Sequence, residues 1–268
     1  MTVTRPVLYL GTHHPGWLGR VDVPLCVSHR QLRKRQGMPR ASARWVLDSG
    51  GFSELTMYGR WETSAGDYVT AVRRYVGEVG RLDWAAPQDW VCQPEVRAGG
   101  RHGPITYAGT GLTVAEHQAR TVASVVALRQ LAPDLPWVPV LQGWHRAEYE
   151  HCVDLYADAG VDLAGEPVIG VGSIAGRQGD PEIADMLWSL ADRGLRLHGF
   201  GVKTAGLARA AGALTSVDSM VWSYRGRRTR GCTPSHMHEG NCRRFALDWR
   251  AQVLDVIPRG SVHQGGLW

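Results

Sequence analysis

Several common features are absent from this sequence of 268 residues, and each absence excludes a class of protein. No apolar run approaches the roughly 18 residues that a membrane-spanning helix requires. The five cysteines are odd in number and scattered, which argues against a disulfide framework. A hydrophobic fraction of 44% and a charged fraction of 21% exclude a disordered chain and a collagen-like repeat. The apolar run at residues 7–10 lacks a cleavage pattern, so we expect no signal peptide and a soluble, cytoplasmic protein.

Lysine is also scarce, since Lys34 and Lys203 stand against 28 arginines. The net charge is +5 and the isoelectric point is about 9.1. Arginine makes planar, bidentate contacts to phosphate and stacks on bases, so an arginine-dominated basic surface fits a nucleic-acid partner. Strong arginine usage also follows from a GC-rich genome. The charge therefore indicates a polyanionic partner without deciding between these two explanations.

Short apolar runs alternate with helical patterns along the chain. The pattern at residues 113–131 begins with a capping box of Thr113 and Glu116, and that at 181–191 follows Asp180 as N-cap. Near-continuous apolar strands between helices are typical of a parallel sheet covered by helices. Without a GxGxxG opening, they favour an α/β fold of the (β/α)8 TIM-barrel type in one domain, residues 1–268. The predicted strands are residues 7–11, 45–50, 82–89, 138–143, 168–173, 197–202 and 214–220, with residues 220–224 as candidate for an eighth.

Chemistry-bearing residues follow the predicted strands, where a barrel places its active site. Asp48, Asp89 and Asp218 each lie at such an end, so their carboxylates are expected to converge on one pocket. Clustered carboxylates push their pKa values apart and support acid, base and nucleophile roles. Paired glycines at the same ends let backbone amides approach a flat or anionic ligand. The competing interpretation makes each aspartate a helix N-cap or turn residue.

The motif Asp48-Ser49-Gly50-Gly51-Phe52 resembles the DSGGF signature of the tRNA-guanine transglycosylases. The later strand ends are similar in their order: an aspartate after Pro-Gln, a Gln-Gly pair, a glycine-rich turn, a His-Gly-x-Gly strand and an Asp-Ser pair. Segments 216–223 (SVDSMVWS) and 241–249 (NCRRFALDW) resemble the deazapurine DNA modification branch, the DpdA-like proteins. The resemblance spans roughly residues 7–250.

The resemblance implies an enzyme that replaces guanine in DNA by a 7-deazaguanine base such as preQ0, through a covalent aspartyl-glycosyl intermediate. Asp218 takes the place of the nucleophile, Asp48 that of an acid/base group and Asp89 that of the carboxylate that recognises the purine edge. The implied partners are DNA, the free deazaguanine base and accessory proteins of a DNA modification system, with no organic cofactor. The predicted base contacts are Ser49, Gly50, Gly51, Phe52, Gln142, Gly143, Gly172, Ser173 and Gly199.

Four potential metal ligands, two cysteines and two histidines, lie within eleven residues: Cys232, His236, His238 and Cys242. This set suits a closed tetrahedral zinc site, here placed to hold a helix at residues 242–256 against the barrel. The resembled superfamily has a structural zinc on three cysteines and one histidine in a similar place, and this chain departs from that set. The alternative is a loop with two surface histidines. The remaining cysteines are expected to pack as small hydrophobes: Cys26, Cys92 and Cys152.

A basic stretch soon after Asp218 comprises Arg225, Arg227, Arg228 and Arg230. Beside the barrel mouth, these side chains would contact phosphates and position a nucleic acid, whose target base must be flipped out of a duplex. A solvated charged face is the competing interpretation. The sequence leaves three other functions open: the same exchange on tRNA, a metal-dependent barrel hydrolase with a catalytic Cys/His cluster, and a nucleic-acid-binding barrel without chemistry.

Overall fold

A parallel sheet of eight strands organises the protein in the computed structural model, which describes residues 5–177, 180–203, 207 and 209–257. The strands are β1 (Val7–Thr12), β2 (Leu25–Ser28), β3 (Trp45–Asp48), β4 (Leu82–Ala85), β5 (Gly100–His102), β6 (Ile105–Tyr107), β7 (Val140–Leu141), β8 (Ile169–Val171), β9 (Leu197–Gly199) and β10 (Leu214–Ser219). The helices are α1 (His29–Leu32), α2 (Gly51–Tyr58), α3 (Ala65–Glu78), α4 (Pro94–Ala98), α5 (Val114–Leu131), α6 (Arg146–Asp158), α7 (Pro181–Asp192), α8 (Val221–Gly226) and α9 (Arg243–Val256).

The sheet has the order β4-β3-β2-β1-β10-β9-β8-β7, and every neighbouring pair in it is parallel. Its two edges meet, because Ala85 forms a parallel bridge with Trp137, just before β7. The Ala85 amide donates to the Pro136 carbonyl at 2.9 Å, and the Val138 amide donates to the Ala85 carbonyl at 3.1 Å. These contacts curl the sheet into a barrel with helices outside it, so the predicted TIM-type fold is confirmed.

The eighth strand lies elsewhere than the sequence predicted. It is β2, which pairs with β1 and β3 and follows Pro24 as a run of only four residues. Such a run is too short to show a strand period by itself. Residues 221–226, near the position expected for that strand, form helix α8 instead. The predicted helices at 113–131 and 181–191 are confirmed, with the capping box of Thr113 and Glu116 and the Asp180 cap in place.

Alternation along the strands separates two apolar layers. One set of side chains, which includes Tyr9, Val46 and Trp84, packs together inside the barrel. The intervening residues, such as Leu10 and Leu47, pack against the helices. Because side chains alternate faces with period two, the inward positions continue to the carboxyl ends of the strands. The residues that occupy these last inward positions are Ser28, Asp48, Gln142, Gly172 and Asp218.

Two additions flank this mouth of the barrel. A hairpin of β5 and β6 is inserted in the connection between β4 and α5, and the Ala108 amide after it donates to Thr56 of α2 at 2.8 Å. Helix α9 packs against β1, where the Arg250 guanidinium donates to the Leu8 carbonyl at 3.2 Å. In the described part of the chain, no helix has the length and apolar character to span a membrane.

Candidate active site

A cavity of about 850 Å³ opens at the carboxyl ends of the strands. All three predicted aspartates line it: Asp48 from the end of β3, Asp89 from the loop after β4, and Asp218 from β10. A cavity of this size suits a small ligand such as a nucleobase with its sugar. The other predicted base-contact residues that line it are Gly51, Phe52, Gly172 and Ser173.

Asp48 is a buried carboxyl group that lies near the other two aspartates. Burial and the neighbouring charges of Asp89 and Asp218 raise its pKa to about 6, although hydrogen bonds to Gly50 and Ser28 act in the opposite direction. Gly50 has a φ of 84°, which a residue with a side chain rarely adopts, and this turn lets its backbone serve Asp48. A carboxyl group with a pKa near 6 both donates and accepts protons near neutral pH.

Asp89 is held by a chain of buried side chains. Ser49 Oγ donates to Asp89 Oδ1 at 2.7 Å, and Gln142 Nε2 donates to Asp89 Oδ2 at 2.6 Å. Ser173 Oγ in turn donates to Gln142 Oε1 at 2.6 Å. Burial raises the pKa of Asp89, and the hydrogen bonds from Ser49 and Gln142 oppose that rise. The carboxylate is therefore fixed in one orientation.

Gln142 and Ser49 do not line the cavity but support Asp89 from behind. Gly172 makes this arrangement possible, because a Cβ at that position would overlap the Gln142 amide. Gly143 instead lies against Tyr149, and Gly199 lies against Val202. Neither these two glycines nor Gly50 lines the cavity, and the roles assigned to them in base contact stay predictions.

Asp218 presents a carboxylate with two unequal oxygens. Its Oδ1 accepts a hydrogen bond from the Gly201 amide at 2.9 Å. Within the described chain, no protein group donates to its Oδ2. The side chain is 12% exposed, so the group is shielded by the barrel yet open to the cavity. This combination suits a nucleophile that must reach a ligand atom while excluding water.

The cavity also contains side chains that sequence reasoning did not assign to the site. His13 follows β1, and its Nε2 lies 2.8 Å from Asn241 Oδ1. Arg30 also lines the cavity and is paired with the buried Glu54 at 2.6 Å. Arg177 covers the ring of Trp144, with its guanidinium carbon 3.9 Å from the ring centroid. His13 directly follows the first strand, and this position at a strand end is a sequence signal that could have identified it as a site residue. The walls contributed by Arg30 and Arg177 depend on tertiary contacts.

The predicted nucleic-acid-binding arginines all lie on the surface, in and after α8. Within this stretch Tyr224 is 62% exposed, and the Arg228 guanidinium carbon lies 3.8 Å from its ring centroid. Met220 lines the cavity at the start of the same helix, so the stretch leads outward from Asp218. The exposed arginines are Arg225, Arg227, Arg228 and Arg230.

The metal-ligand residues gather next to α9, with one change to the predicted set. Cys232, His236, Glu239 and Cys242 each contribute an atom to a group that lies within 4.8 Å. His238 is outside it and accepts a hydrogen bond from the Gly240 amide at its Nδ1, 3.1 Å away. His238 and Arg230 instead form an isolated antiparallel β-bridge. The 3₁₀ turn Glu239–Asn241 begins at the following residue, Glu239, and places the Glu239 carboxylate 3.4 Å from His236 Nε2.

The donor atoms of this cluster fit a tetrahedral ion. The two thiol sulfurs lie 3.8 Å apart, which is about the separation of two thiolates bound tetrahedrally at 2.3 Å from zinc. His236 Nε2 lies 3.3 Å from Cys232 Sγ and 3.4 Å from Glu239 Oε2. Hydrogen bonds from Cys242 and Cys232 lower the pKa of Glu239 to about 2, so this side chain is a carboxylate at neutral pH. The cluster therefore offers a site for a metal ion.

A comparison with models of protein families agrees with the motifs. The family model described as "DpdA: DeoxyPurine in DNA protein A" matches residues 4–265. Among curated proteins, none matches the sequence. Similar solved structures include a crystal structure described as an isomerase from Sinorhizobium meliloti in an open-loop conformation, which is 10% identical with a TM-score of 0.39. That match covers 80% of this chain and 49% of that one, so the chain spans about half of its length, and a likeness of this degree indicates no activity.

The raised pKa of Asp48 predicts a pH-dependent effect of Asp48→Asn on stability. Between about pH 4 and pH 6 the folded protein keeps a proton that the unfolded chain releases, so the wild type loses up to about 3 kcal/mol as the pH rises through this window. The Asp48→Asn variant does not titrate there. Urea unfolding from pH 4 to pH 7 should show the variant gaining stability relative to the wild type as the pH rises.

The control for this experiment is Asp134→Asn. Arg73 lowers the pKa of the exposed Asp134 through a hydrogen bond, so any stability linked to this group is gained mainly below about pH 4, outside the range of the experiment. Asp134→Asn should therefore keep a nearly constant stability difference from the wild type between pH 4 and pH 7, unlike Asp48→Asn. A stability difference for Asp48→Asn that stays constant over the whole range would contradict the assigned pKa.

Proposed function

Because the chain belongs to the DpdA family, we propose that it exchanges guanine in DNA for a 7-deazaguanine base. The family description refers to a deoxypurine in DNA, and the site supplies the groups that the exchange of a purine base requires. One observation carries the proposal: three aspartates from three strand ends face one cavity, each in a different environment. Three carboxylates with separate environments support a nucleophile, an acid/base group and a recognition group.

The first half of the reaction removes guanine. An Asp218 carboxylate oxygen attacks C1′ of the deoxyguanosine, and the bond from C1′ to N9 breaks as the new C–O bond forms. The electron pair leaves with guanine, which takes its proton from the Asp48 carboxyl. A pKa near 6 leaves a usable fraction of Asp48 protonated near neutral pH. The product is a sugar bound covalently to Asp218.

The second half installs the new base. The incoming 7-deazaguanine gives its N9 proton to the Asp48 carboxylate, and its N9 attacks C1′ from the face that guanine vacated. Asp218 leaves with the electron pair of the C–O bond, so both carboxyl groups return to their starting states. Two inversions at C1′ give net retention, as in retaining glycosidases.

Asp89 recognises the purine edge in this scheme. Both of its oxygens are already oriented by Ser49 and Gln142, so the remaining lone pairs point in fixed directions toward donors of the base. Guanine and 7-deazaguanine share the same N–H donors on this edge, so one carboxylate serves both bases. Phe52 and Trp144 line the cavity as apolar groups for contact with the faces of the base.

The arginines in and after α8 form the proposed path of the DNA backbone. They are exposed, basic and continuous with Met220 at the cavity, so phosphates on them would keep a flipped nucleotide in reach of Asp218. Tyr224 adds an exposed aromatic surface on which an unpaired base stacks.

Zinc is the proposed occupant of the cluster of Cys232, His236, Glu239 and Cys242. Two thiolates, an imidazole and a carboxylate are zinc ligands, and four of them close the coordination sphere. None of the four lines the cavity, so the ion would supply stability by holding the start of α9 against α8 and its following loop. A catalytic metal would instead need an open position beside the substrate.

Base exchange is tested directly by incubating the protein with preQ0 and either duplex DNA or tRNA, then digesting to nucleosides for mass spectrometry. We expect modified deoxynucleoside from the wild type. The Asp218→Asn variant should lose at least about a thousandfold in rate, and Asp48→Asn about a hundredfold. An Asp185→Asn control on the exposed face of α7 should retain wild-type activity.

Each alternative function has its own outcome in this assay. Modified ribonucleoside alone would assign the exchange to tRNA. Unchanged exchange by Asp218→Asn would remove Asp218 from the role of nucleophile. If the wild-type protein binds DNA but exchanges no base, the barrel is a nucleic-acid-binding protein without catalysis. If a chelator abolishes turnover while the protein stays folded, the function is that of a metal-dependent hydrolase.

The ligand set predicts which substitutions release zinc. The protein as purified should contain about one zinc ion per chain, and Cys232→Ala or Glu239→Ala should lower both zinc content and thermal stability. His238→Ala is the matched control next to Glu239 and should retain its zinc. Metal analysis and thermal unfolding measure both effects. If His238→Ala loses its zinc and Glu239→Ala retains it, the fourth ligand is His238 and not Glu239.

The path of the DNA predicts the salt dependence of binding. Replacing Arg225 or Arg227 by alanine should reduce the slope of log affinity against log salt by about one each, because each replacement removes a phosphate contact. Arg81→Ala is the control, since Arg81 precedes β4 at the opposite end of the barrel and donates to Ser42. Equal slopes for all three variants would place the DNA elsewhere.

A further inference from the structure

His198 on β9 lies directly behind Asp218. Its side chain is fully buried, and it does not line the cavity. The ring centroids of Trp84 and Phe200 each lie 4.7 Å from that of the imidazole, and the centroid of Tyr9 lies 6.0 Å away. The imidazole is thus a polar group surrounded by aromatic rings inside the barrel.

The two ring nitrogens of His198 face two residues of β10. Nδ1 lies 2.9 Å from Ser216 Oγ, and Nε2 lies 3.4 Å from Asp218 Oδ1. Nε2 is buried and has no hydrogen-bond partner among the described residues. A buried polar atom without a partner costs free energy, so its place in the structure requires an explanation. The polar atom it faces is Asp218 Oδ1, at a distance that a small side-chain movement converts to a hydrogen bond.

Asp218 determines which nitrogen of His198 carries the proton. A carboxylate only accepts hydrogen bonds, so a favourable contact with Asp218 requires a proton on Nε2. In the neutral imidazole Nδ1 is then an acceptor, and the Ser216 hydroxyl is the donor that it needs. Serine, histidine and aspartate therefore form one directed series in which each proton points toward Asp218.

We infer that His198 is a positioning residue for Asp218. Its Nε2–H and the Gly201 amide together hold Oδ1, which leaves Oδ2 turned to the cavity for attack on the sugar. This role rests on the proposed function, in which Asp218 is the nucleophile. His198 does not touch the substrate, and it keeps its proton throughout the reaction.

The two donors act on both halves of the exchange. When Oδ2 bonds to C1′, Oδ1 becomes the carbonyl oxygen of an ester. When the new base displaces Asp218, negative charge returns to Oδ1, and the waiting Nε2–H stabilises it. Loss of this donor should therefore reduce turnover more than substrate binding.

The test measures kcat and KM for both DNA and preQ0 in His198→Ala, His198→Gln and Ser216→Ala. We expect kcat to fall roughly 10- to 100-fold in His198→Ala while both KM values stay within about twofold. His198→Gln should recover most of the activity, because its amide nitrogen donates from about the position of Nε2. Ser216→Ala should have an intermediate effect, since it removes the hydroxyl that donates to Nδ1 when Nε2 carries the proton.

A matched control separates this role from a general effect on the fold. His117 is equally buried, and its nitrogens contact the Val91 carbonyl and Thr110, so His117→Gln replaces a buried imidazole elsewhere in the molecule. Thermal unfolding is measured for each variant. The value of kcat should fall in the His198→Ala variant and stay near that of the wild type in His117→Gln, even where the two variants lose similar stability. Wild-type kcat in a folded His198→Ala, or equal losses in His198→Ala and His198→Gln, would overturn the inference.

The tautomer gives a readout that needs no activity. The ¹⁵N chemical shifts of His198 should show a proton on Nε2, because Asp218 Oδ1 is the acceptor that Nε2 faces. Protonation at Nδ1 in the wild type would overturn the inference. A wild type that shows the expected tautomer yet catalyses no exchange would instead refute the proposed function, whereas an active wild type with an unaffected His198→Ala would refute the positioning role alone.

Discussion

Confining three carboxylates in one partly buried cavity is the constraint on which the rest of this site depends. Charges of like sign in such a place raise one another's pKa, and burial adds to the effect. The protein treats each group differently. Asp48 takes up a proton more readily than usual, while Asp89 is held by Ser49 and Gln142. Asp218 receives the Gly201 amide. Three aspartates with the same side chain therefore lie in three different hydrogen-bonding environments.

The backbone makes this distribution possible. Gly50 adopts a left-handed conformation that turns its backbone toward Asp48, and Gly172 leaves the space through which Gln142 reaches Asp89. The parallel barrel brings these loops together, because all of its strands end on the same face. Glycines at strand ends therefore help to set the environment of the carboxylates, although several of these glycines do not line the cavity.

The surroundings of the cavity divide into a basic side and a metal-ligand side along one stretch of chain. Residues after Asp218 form α8, then the exposed arginines, and then the cluster next to α9. The loop that carries the cluster contacts α8, since the Ser223 hydroxyl donates to the Gly240 carbonyl at 2.9 Å. Stabilising this segment also fixes the surface that we propose for DNA, so the two regions share one structural support.

The sequence by itself determined the barrel and the residues at its strand ends, because alternating apolar runs and helices allow few other arrangements, and DSGGF is a local motif. Only the tertiary structure determined three features that depend on contacts between distant residues: the strand β2, the metal-ligand role of Glu239 and the orientation of Gln142. The strand β2 is too short to show a period and becomes a strand only between β1 and β3. Glu239 joins the metal-ligand cluster in place of His238 because a 3₁₀ turn directs it there. Likewise, spacing placed Gln142 at a strand end, but only packing against Gly172 and Ser173 turned its amide toward Asp89. Sequence period fixes which positions face inward, whereas the partner of an inward side chain depends on residues far away in the chain.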